Sequence, residues 1–433
     1  MSKSTRKLTA VAIILVLVFA MAGCSKAAEA PAAETAAKPT EAPVEKTKVR
    51  VTSWWNYTDS KPLQQLKAGF EAKNADYELV FEQIPTQYAD KVLAVVAGGG
   101  DQVPDVMMLA MDRIPQFAKA GAIQPLDGLM NEEYKNSLYP VVFDAVKFDG
   151  KVYAAPRDIT SFVMFCNKKL FDEAKVAIPE EGWTWEDFLS ISKKLTKVEG
   201  GNAVQWGYYF PKYHDTVFTW LIQNGAAYTT PDGKEGTLSK PEGKAALKFL
   251  QDLVLKHKVC PTETEAKQFG TDSSAAFIAG KVAMQIGGLS MSVALDKNNV
   301  DYMMVPLPKG AKQASTAFVN AWTMPKGAKN AEAAWKVIEY FSSKEGQQIV
   351  LDTKMGLPAS KDVDVKGFLQ QRPDNKSLTD ALAYSIPFQT FENSAKYYDL
   401  VKNNLDLVWL GEKSVDAAAD EIDKNAKDVL SGK

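Results

Sequence analysis

The sequence predicts an α/β fold with a mainly parallel sheet, and three observations carry that expectation. Between residues 49 and 110, short stretches of alternating or wholly apolar residues take turns with stretches of helical periodicity. The run Val106-Met107-Met108-Leu109-Ala110 is apolar throughout, as a strand buried on both faces would be. The body from residue 48 to residue 433 exceeds what one core usually spans, so two domains are expected.

Taken in order, the chain opens with Lys3, Arg6 and Lys7, an uncharged apolar run from Leu8 to Ala22, and small residues before Cys24. That run is too short to span a bilayer comfortably and has the anatomy of a secretion signal, expected over residues 1–23. Ala20-Met21-Ala22-Gly23-Cys24 resembles the bacterial lipoprotein lipobox, which implies cleavage before Cys24 and acylation of its sulfur. Two or three acyl chains would hold the mature protein to a bilayer. An ordinary cleaved signal and a free secreted protein is the alternative. Residues 24–47 continue almost entirely in Ala, Pro, Glu, Lys and Thr, too little apolar surface to offset ordering, and are expected to form a solvated tether.

Within the body, Val49 and Val51 alternate as in a strand, and Pro62 opens a helix whose Leu63, Leu66 and Phe70 share one face. Tyr77, Leu79 and Phe81 form the next strand; residues 88–96 form a helix stopped by the triple glycine 98–100. Asp149-Gly150 marks a hairpin turn, followed by a strand and a second apolar strand at 162–165. A helix starts near Thr184, with Glu186 and Asp187 in the first turn, where the helix dipole favours negative charge. Trp183 and Trp185 beside it read as packing residues. Another amphipathic helix follows, then "GTDSSAAFIAGKVAMQIGGLS" reads as helix, tight turn, strand and glycine loop, and helices close the chain.

Composition narrows the function. Lys and Arg number 51 against 53 Asp and Glu; without Lys3, Arg6 and Lys7 the balance is 48 against 53, so no basic face and no nucleic-acid partner is implied. Apart from Cys24 there are two cysteines, Cys166 and Cys260, and two histidines, His214 and His257, which argues against a Cys/His metal site; no cofactor is expected. A disulfide between the cysteines and a pair of buried thiols both remain open.

In α/β sheets ligands bind beyond the carboxyl ends of the strands. Trp54 and Trp55 sit at one such end, and Asp112 and Arg113 at another. This rim offers flat rings, a carboxylate and a guanidinium, with a surface ion pair beside a half-buried tryptophan as the alternative. Tyr88 is placed to reach the same rim or to fill the core.

The motifs "SWWNYT", "VPDVMMLAMDRIPQFAKAGAIQPLD", "FDGKVYAAP", "FCNKKLFDEA", "WTWEDF", "FIAGKVAMQIGG", "VPLPKG" and "NAEAAWKVIEYFSSKEGQQ", then "MGLPAS", occur in one register. In that order they resemble family 1 of the extracellular solute-binding proteins of ABC importers, the group that includes maltose-binding protein. The resemblance runs from about residue 48 to the C-terminus. It implies a two-lobed, periplasmic-binding-protein-like (Venus flytrap) fold whose hinge strands cross between lobes more than once. Lobe one would hold residues 48–157 and 306–350, and lobe two residues 158–300 and 357–433. Solute would bind between the lobes, which close by hinge motion.

The implied guest is a carbohydrate, an oligosaccharide. A pyranose offers an apolar face that suits an indole and hydroxyl groups around its edge that suit Asp, Glu, Arg and Asn. Trp54 or Trp55 would stack on it, with Asn56 beside them. Carried over by motif, Asp112 and Arg113 match sugar-hydroxyl positions, and Asp215 falls where a binding glutamate stands, with His214 and Tyr213 adjacent; Trp220 reads as core. The loop Gly287-Gly288-Leu289-Ser290 departs from the pattern: many members have tryptophan where Ser290 stands, and Trp322, near Asn320, could restore a ring. Arg157 and Asp158 at the first crossing would be a hinge ion pair or ligand contacts. The partners implied are membrane permease subunits and, through Cys24, the outer face of the bacterial cytoplasmic membrane; a monomer is expected.

Competing readings keep the binding role but change the solute to a polyamine or a glycerol phosphate ester, or make the carboxylates those of a secreted glycoside hydrolase. The chain has no G-x-S-x-G, H-E-x-x-H or Walker motif, and the S-x-x-K at Ser190–Lys193 lacks its companion motifs, so no enzyme is expected.

Overall fold

The computed structural model describes residues 45–270 and 274–432. The expected signal, Cys24 and the tether up to residue 44 lie outside them. The described strands are β1 (Thr47–Ser53), β2 (Tyr77–Gln83), β3 (Val106–Ala110), β4 (Lys147–Phe148), β5 (Lys151–Val152), β6 (Ala155–Ser161), β7 (Val163–Asn167), β8 (Lys197–Glu199), β9 (Asn202–Tyr209), β10 (Val282–Gly287), β11 (Tyr302–Val305), β12 (Ser315–Thr323) and β13 (Ser385–Pro387).

The first sheet grows outward from β1, which pairs in parallel with β2 (Val49↔Leu79) and with β3 (Val51↔Val106). Helices Lys61–Lys73 and Tyr88–Gly98 make these two crossovers, as the alternating pattern predicts. Ser60 caps the first by accepting the Leu63 N–H, and Leu63, Leu66 and Phe70 are wholly buried. Beyond β3 the sheet continues through β12 to β13, while β6 pairs with β12. A second sheet has the order β11-β7-β10-β9-β8, with β9 and β10 parallel. β4 and β5 form the expected hairpin, with Asp149 at φ +46° and Gly150 at φ +76°, the left-handed pair that a two-residue turn requires.

Both large sheets are mixed: the first keeps three parallel pairs against two antiparallel, and the second has one against three. The strands that connect them cause this: β6 and β12 run antiparallel to each other in the first sheet, and β7 and β11 do the same in the second. The β6–β12 ladder extends past residue 157 to Ser161↔Ala317, and β7 starts the second sheet at Val163. Phe162 alone separates the two; its N–H donates to Ser315 Oγ and its carbonyl accepts from the same hydroxyl, both at 2.9 Å. β13, inside the stretch 357–433, joins the first sheet through Ser315↔Ser385.

The β6–β12 register shifts between Asn320 and Ala321, from Asp158 to Pro156, so Arg157 is the extra residue of a bulge. Gln347 fixes this segment: its amide N–H donates to the carbonyls of Pro156 (2.9 Å) and Arg157 (2.8 Å), and its oxygen accepts the Ala359 N–H (2.7 Å).

Thr184 starts its helix with a capping box to Asp187. Trp185 stacks on Phe249 at 4.5 Å, and the Trp183 indole donates to the Pro306 carbonyl, so both are packing residues. Trp220 is wholly buried. Cys166 and Cys260 are free, buried thiols, and burial pushes the pKa of each upward. Among the described residues no helix is long and apolar enough to cross a membrane.

Candidate functional site

Two strand ends of the first sheet and two of the second carry the site. At the end of β1, the Ser53 hydroxyl accepts the Trp55 N–H (3.2 Å) and donates to the Trp55 carbonyl (3.0 Å), turning the chain so that the neighbouring indoles meet edge to face, centroids 6.2 Å apart. Trp54 meets Tyr88 edge to face at 5.4 Å. Tyr88 is a core residue: its hydroxyl accepts the Met108 N–H and donates to the Thr52 carbonyl. Trp55 has the Arg157 guanidinium 4.3 Å over its ring and lines a hollow of about 390 Å³ with Asn56, Ser290, Lys354 and Met355. Asn56 is there, but its amide donates to Asp59 and its oxygen accepts from Thr58, so it shapes the local turn.

The sequence-predicted polar residues at the first crossing sit elsewhere. Arg157 and Asp158, each 1 % exposed, form a buried ion pair, and the Asn320 amide donates to Asp158 Oδ1 at 3.0 Å. Burial pulls the Arg157 pKa down, and Asp158 opposes it. Gly356 closes over this knot; a Cβ there would lie 2.4 Å from the Asp158 Cβ. Arg157 and Asp158 are enclosed in this knot, with the Arg157 side chain held inward against the Trp55 ring.

Two further expectations are corrected. Trp322 does not restore a ring for a guest: it is wholly buried and packs on Phe341 at 5.1 Å, under the helix Ala331–Ser342. Gly288 is a packing residue, since an added Cβ would lie 2.7 Å from Thr160 Cγ2 on β6, whereas Ser290 two residues on is exposed and lines the Trp55 hollow.

The remaining predicted residues come together. Asp112 and Arg113 follow β3, and Tyr213, His214 and Asp215 follow β9 at the start of the helix His214–Gln223. All five line one hollow of about 560 Å³, within the usual size of small-ligand sites. Asp112 Oδ2 lies 3.5 Å from Arg113 Nε. Burial is the main cause that raises the pKa of Asp112, with Arg113 opposing it; burial also raises Asp215, opposed by its hydrogen bond from the Thr216 N–H. His214 is lowered, again chiefly by burial, so it is neutral at pH 7.

The floor of this hollow comes from a segment that sequence reasoning missed. His214 stacks on Tyr398 at 4.8 Å and 30°, Tyr398 stacks on Phe388 at 5.0 Å and 26°, and Phe318 lies against Phe388. Glu392, Lys396 and Asp399 add charge around it. The cluster "PFQTFENSAKYYD" at 387–399, rich in aromatic and polar residues just where the helix Ser394–Leu410 starts, was the available signal. The hollow thus has flat rings with carboxylates and a guanidinium around them. Among the described residues no group of His, Cys, Asp and Glu is arranged to hold a metal ion.

The profile of the family described as bacterial extracellular solute-binding protein matches residues 54–348. A maltooligosaccharide ABC transporter solute-binding lipoprotein of Streptococcus pneumoniae is 26% identical over 346 residues, covering 76% of this chain and 77% of the relative. An ABC substrate-binding protein from Listeria monocytogenes, solved in complex with cycloalternan, superposes with a TM-score of 0.80 at 24% identity, covering 89% of this chain and 100% of the other. A solute-binding protein of an ABC transporter from Thermotoga lettingae, bound with α-D-tagatose, gives a TM-score of 0.74 at 23% identity, with 89% and 100% covered. These structures share the two-domain fold of this chain.

Proposed function

The chain belongs to the bacterial extracellular solute-binding proteins, and from that premise we propose that it captures a carbohydrate, an oligosaccharide, between its two lobes and delivers it to the permease of an ABC importer. Lobe one is built on the first sheet and lobe two on the second. The observation that carries the reading is the Asp112 hollow: a floor of His214, Tyr398 and Phe388 with Asp112, Arg113 and Asp215 around its edge. An aromatic floor suits the C–H face of a pyranose, and charged groups make the stronger hydrogen bonds to its hydroxyls. The guest touches Asp112 from one lobe and Asp215 from the other, so it favours the closed arrangement, which alone offers both. The relatives named for sugars, and solved with sugars, support the same solute class. Asp112 and Asp215 bind rather than catalyse in this reading. Acylated Cys24 anchors the chain to the outer face of the membrane, as a monomer; the lipoprotein relative supports the anchor.

A second reading rests on charge. Asp112, Asp215, Glu392 and Asp399 share the lining with Arg113 and Lys396, and Glu392 also pairs with Lys119 at 3.6 Å; four carboxylates against two lining cations would suit a polyamine. Titration calorimetry with a panel of neutral oligosaccharides and linear polyamines separates the two. Heat from at least one saccharide series, with none from polyamines, is expected; tight polyamine binding and no saccharide heat would overturn the carbohydrate reading.

A further inference from the structure

Tyr213 lines two hollows, not one. On its inner side is the Asp112 hollow; on its outer side is another of about 550 Å³, bounded by Tyr209, Lys212, Lys402, Asp406 and Leu410. The same helix, Ser394–Leu410, walls both: Tyr398 and Asp399 face the inner hollow, and Lys402, Asp406 and Leu410 the outer one. Steps of three and four residues put these side chains on one stripe, and Asp399 to Asp406 spans about 10 Å at the helical rise of about 1.5 Å per residue.

Tyr213 divides the stripe. Tyr213 is 57% exposed, while Pro211, two residues before it, is buried and its carbonyl accepts the Tyr213 N–H at 2.7 Å. The outer hollow repeats the chemistry of the inner one. Tyr209 supplies a half-buried ring, and beneath it Phe210 meets Trp409 edge to face at 5.4 Å. Around the edge stand the ion pairs Lys212–Glu263 at 3.1 Å and Lys402–Asp406.

We propose that the outer hollow is an additional subsite for the outer units of an oligosaccharide whose inner end lies in the Asp112 hollow, with Tyr213 the ring on which the chain passes from one to the other. The proposal rests on the carbohydrate reading above. Its occupant follows from continuity: the two hollows share a ring and a helix face, and each combines flat aromatics with charged side chains. It makes the protein select for chain length as well as sugar type.

The test is calorimetry with malto- and manno-oligosaccharides from disaccharide to heptasaccharide, on the full chain and on two variants that touch the outer hollow alone, Tyr209→Ala and Lys402→Ala. Affinity of the unaltered chain should rise with length. Tyr209→Ala should lower the affinity for the longest binders about tenfold, equal to about 1.4 kcal/mol, and leave the disaccharide unchanged. Lys402→Ala, at an exposed position, should reduce the same length-dependent gain without unfolding the chain. Disaccharide binding with no gain from length, or variants that weaken short and long guests alike, would overturn the subsite while leaving the carbohydrate reading intact. Absence of binding by every saccharide would overturn both.

Discussion

The ends of β1 and β3 are neighbours in one sheet, in register at Thr52↔Met107, yet they serve differently. At the end of β3, Asp112 and Arg113 stand 3.5 Å apart beside an open hollow, each with bonding capacity left for a guest. At the end of β1, Trp54 is engaged by Tyr88, and Trp55 has Arg157 over one face. Position at a strand end places a residue on the rim. The groups packed against it decide whether it faces a ligand or the hinge.

Mutations that break this contrast should do so with graded effects. The largest is on the β1 side: Arg157→Ala leaves Asp158 buried without its cation and should destabilise the fold by about 3–5 kcal/mol, read by denaturant unfolding. A loss below about 1 kcal/mol there would mean that the pair is solvated. On the β3 side, Asp112→Ala should instead weaken sugar binding by about 1.5–3 kcal/mol, the range for a hydrogen bond to a charged group. Its unfolding free energy should change little or rise, because burial disfavours the ionised Asp112.

Acidification sharpens the contrast through Asp112 and Asp215. Both have pKa values raised in the fold, so their contribution to stability is present below the ordinary carboxylate value of about 4 and is lost as pH rises through the raised value. Binding runs the other way. The ionised carboxylate is the stronger acceptor for hydroxyl donors, so affinity should fall as pH drops through the raised values, beginning above about pH 4. Affinity measured against pH should show this fall in the unaltered chain and lose it in an Asp112→Asn, Asp215→Asn double variant. The smallest effect is expected from Ser290→Ala in the Trp55 hollow: within about 0.5 kcal/mol in stability, as for an exposed site, and no measurable change in sugar affinity. A clear affinity loss there would extend the guest to the β1 side.

Much of this was legible in the sequence because it is local. Val49, Val51, Leu63, Leu66 and Phe70 announce a strand and a helix by spacing, and Thr184 with Asp187 announces a capped start. Asp112 was found because it directly follows a strand end, and Asp215 because its motif resembles the family's. The floor was less legible: the aromatic cluster at 387–399 marks it locally, but that Tyr398, stacked on Phe388, meets His214 depends on a contact across a long sequence separation. Trp322 misled for a related reason. Its place on β12 was clear, but whether Phe341 covers it depends on how a distant helix docks. Arg157 and Asp158 stood undecided because a bulge, invisible in composition, directs the guanidinium inward.

The junction at Phe162 has a mechanical consequence. Upstream, the Gln347 amide ties the Pro156 and Arg157 carbonyls of β6 to the Ala359 N–H, which fixes the bulged strand to the helix Lys344–Asp352 and the segment after it. At Phe162 the grip passes to the Ser315 hydroxyl, whose single C–O axle can swivel while keeping both its partners. The one peptide at which β6 passes into β7 is thus tied to the first residue of β12, on the other crossing between the sheets, by a hydroxyl that both donates and accepts.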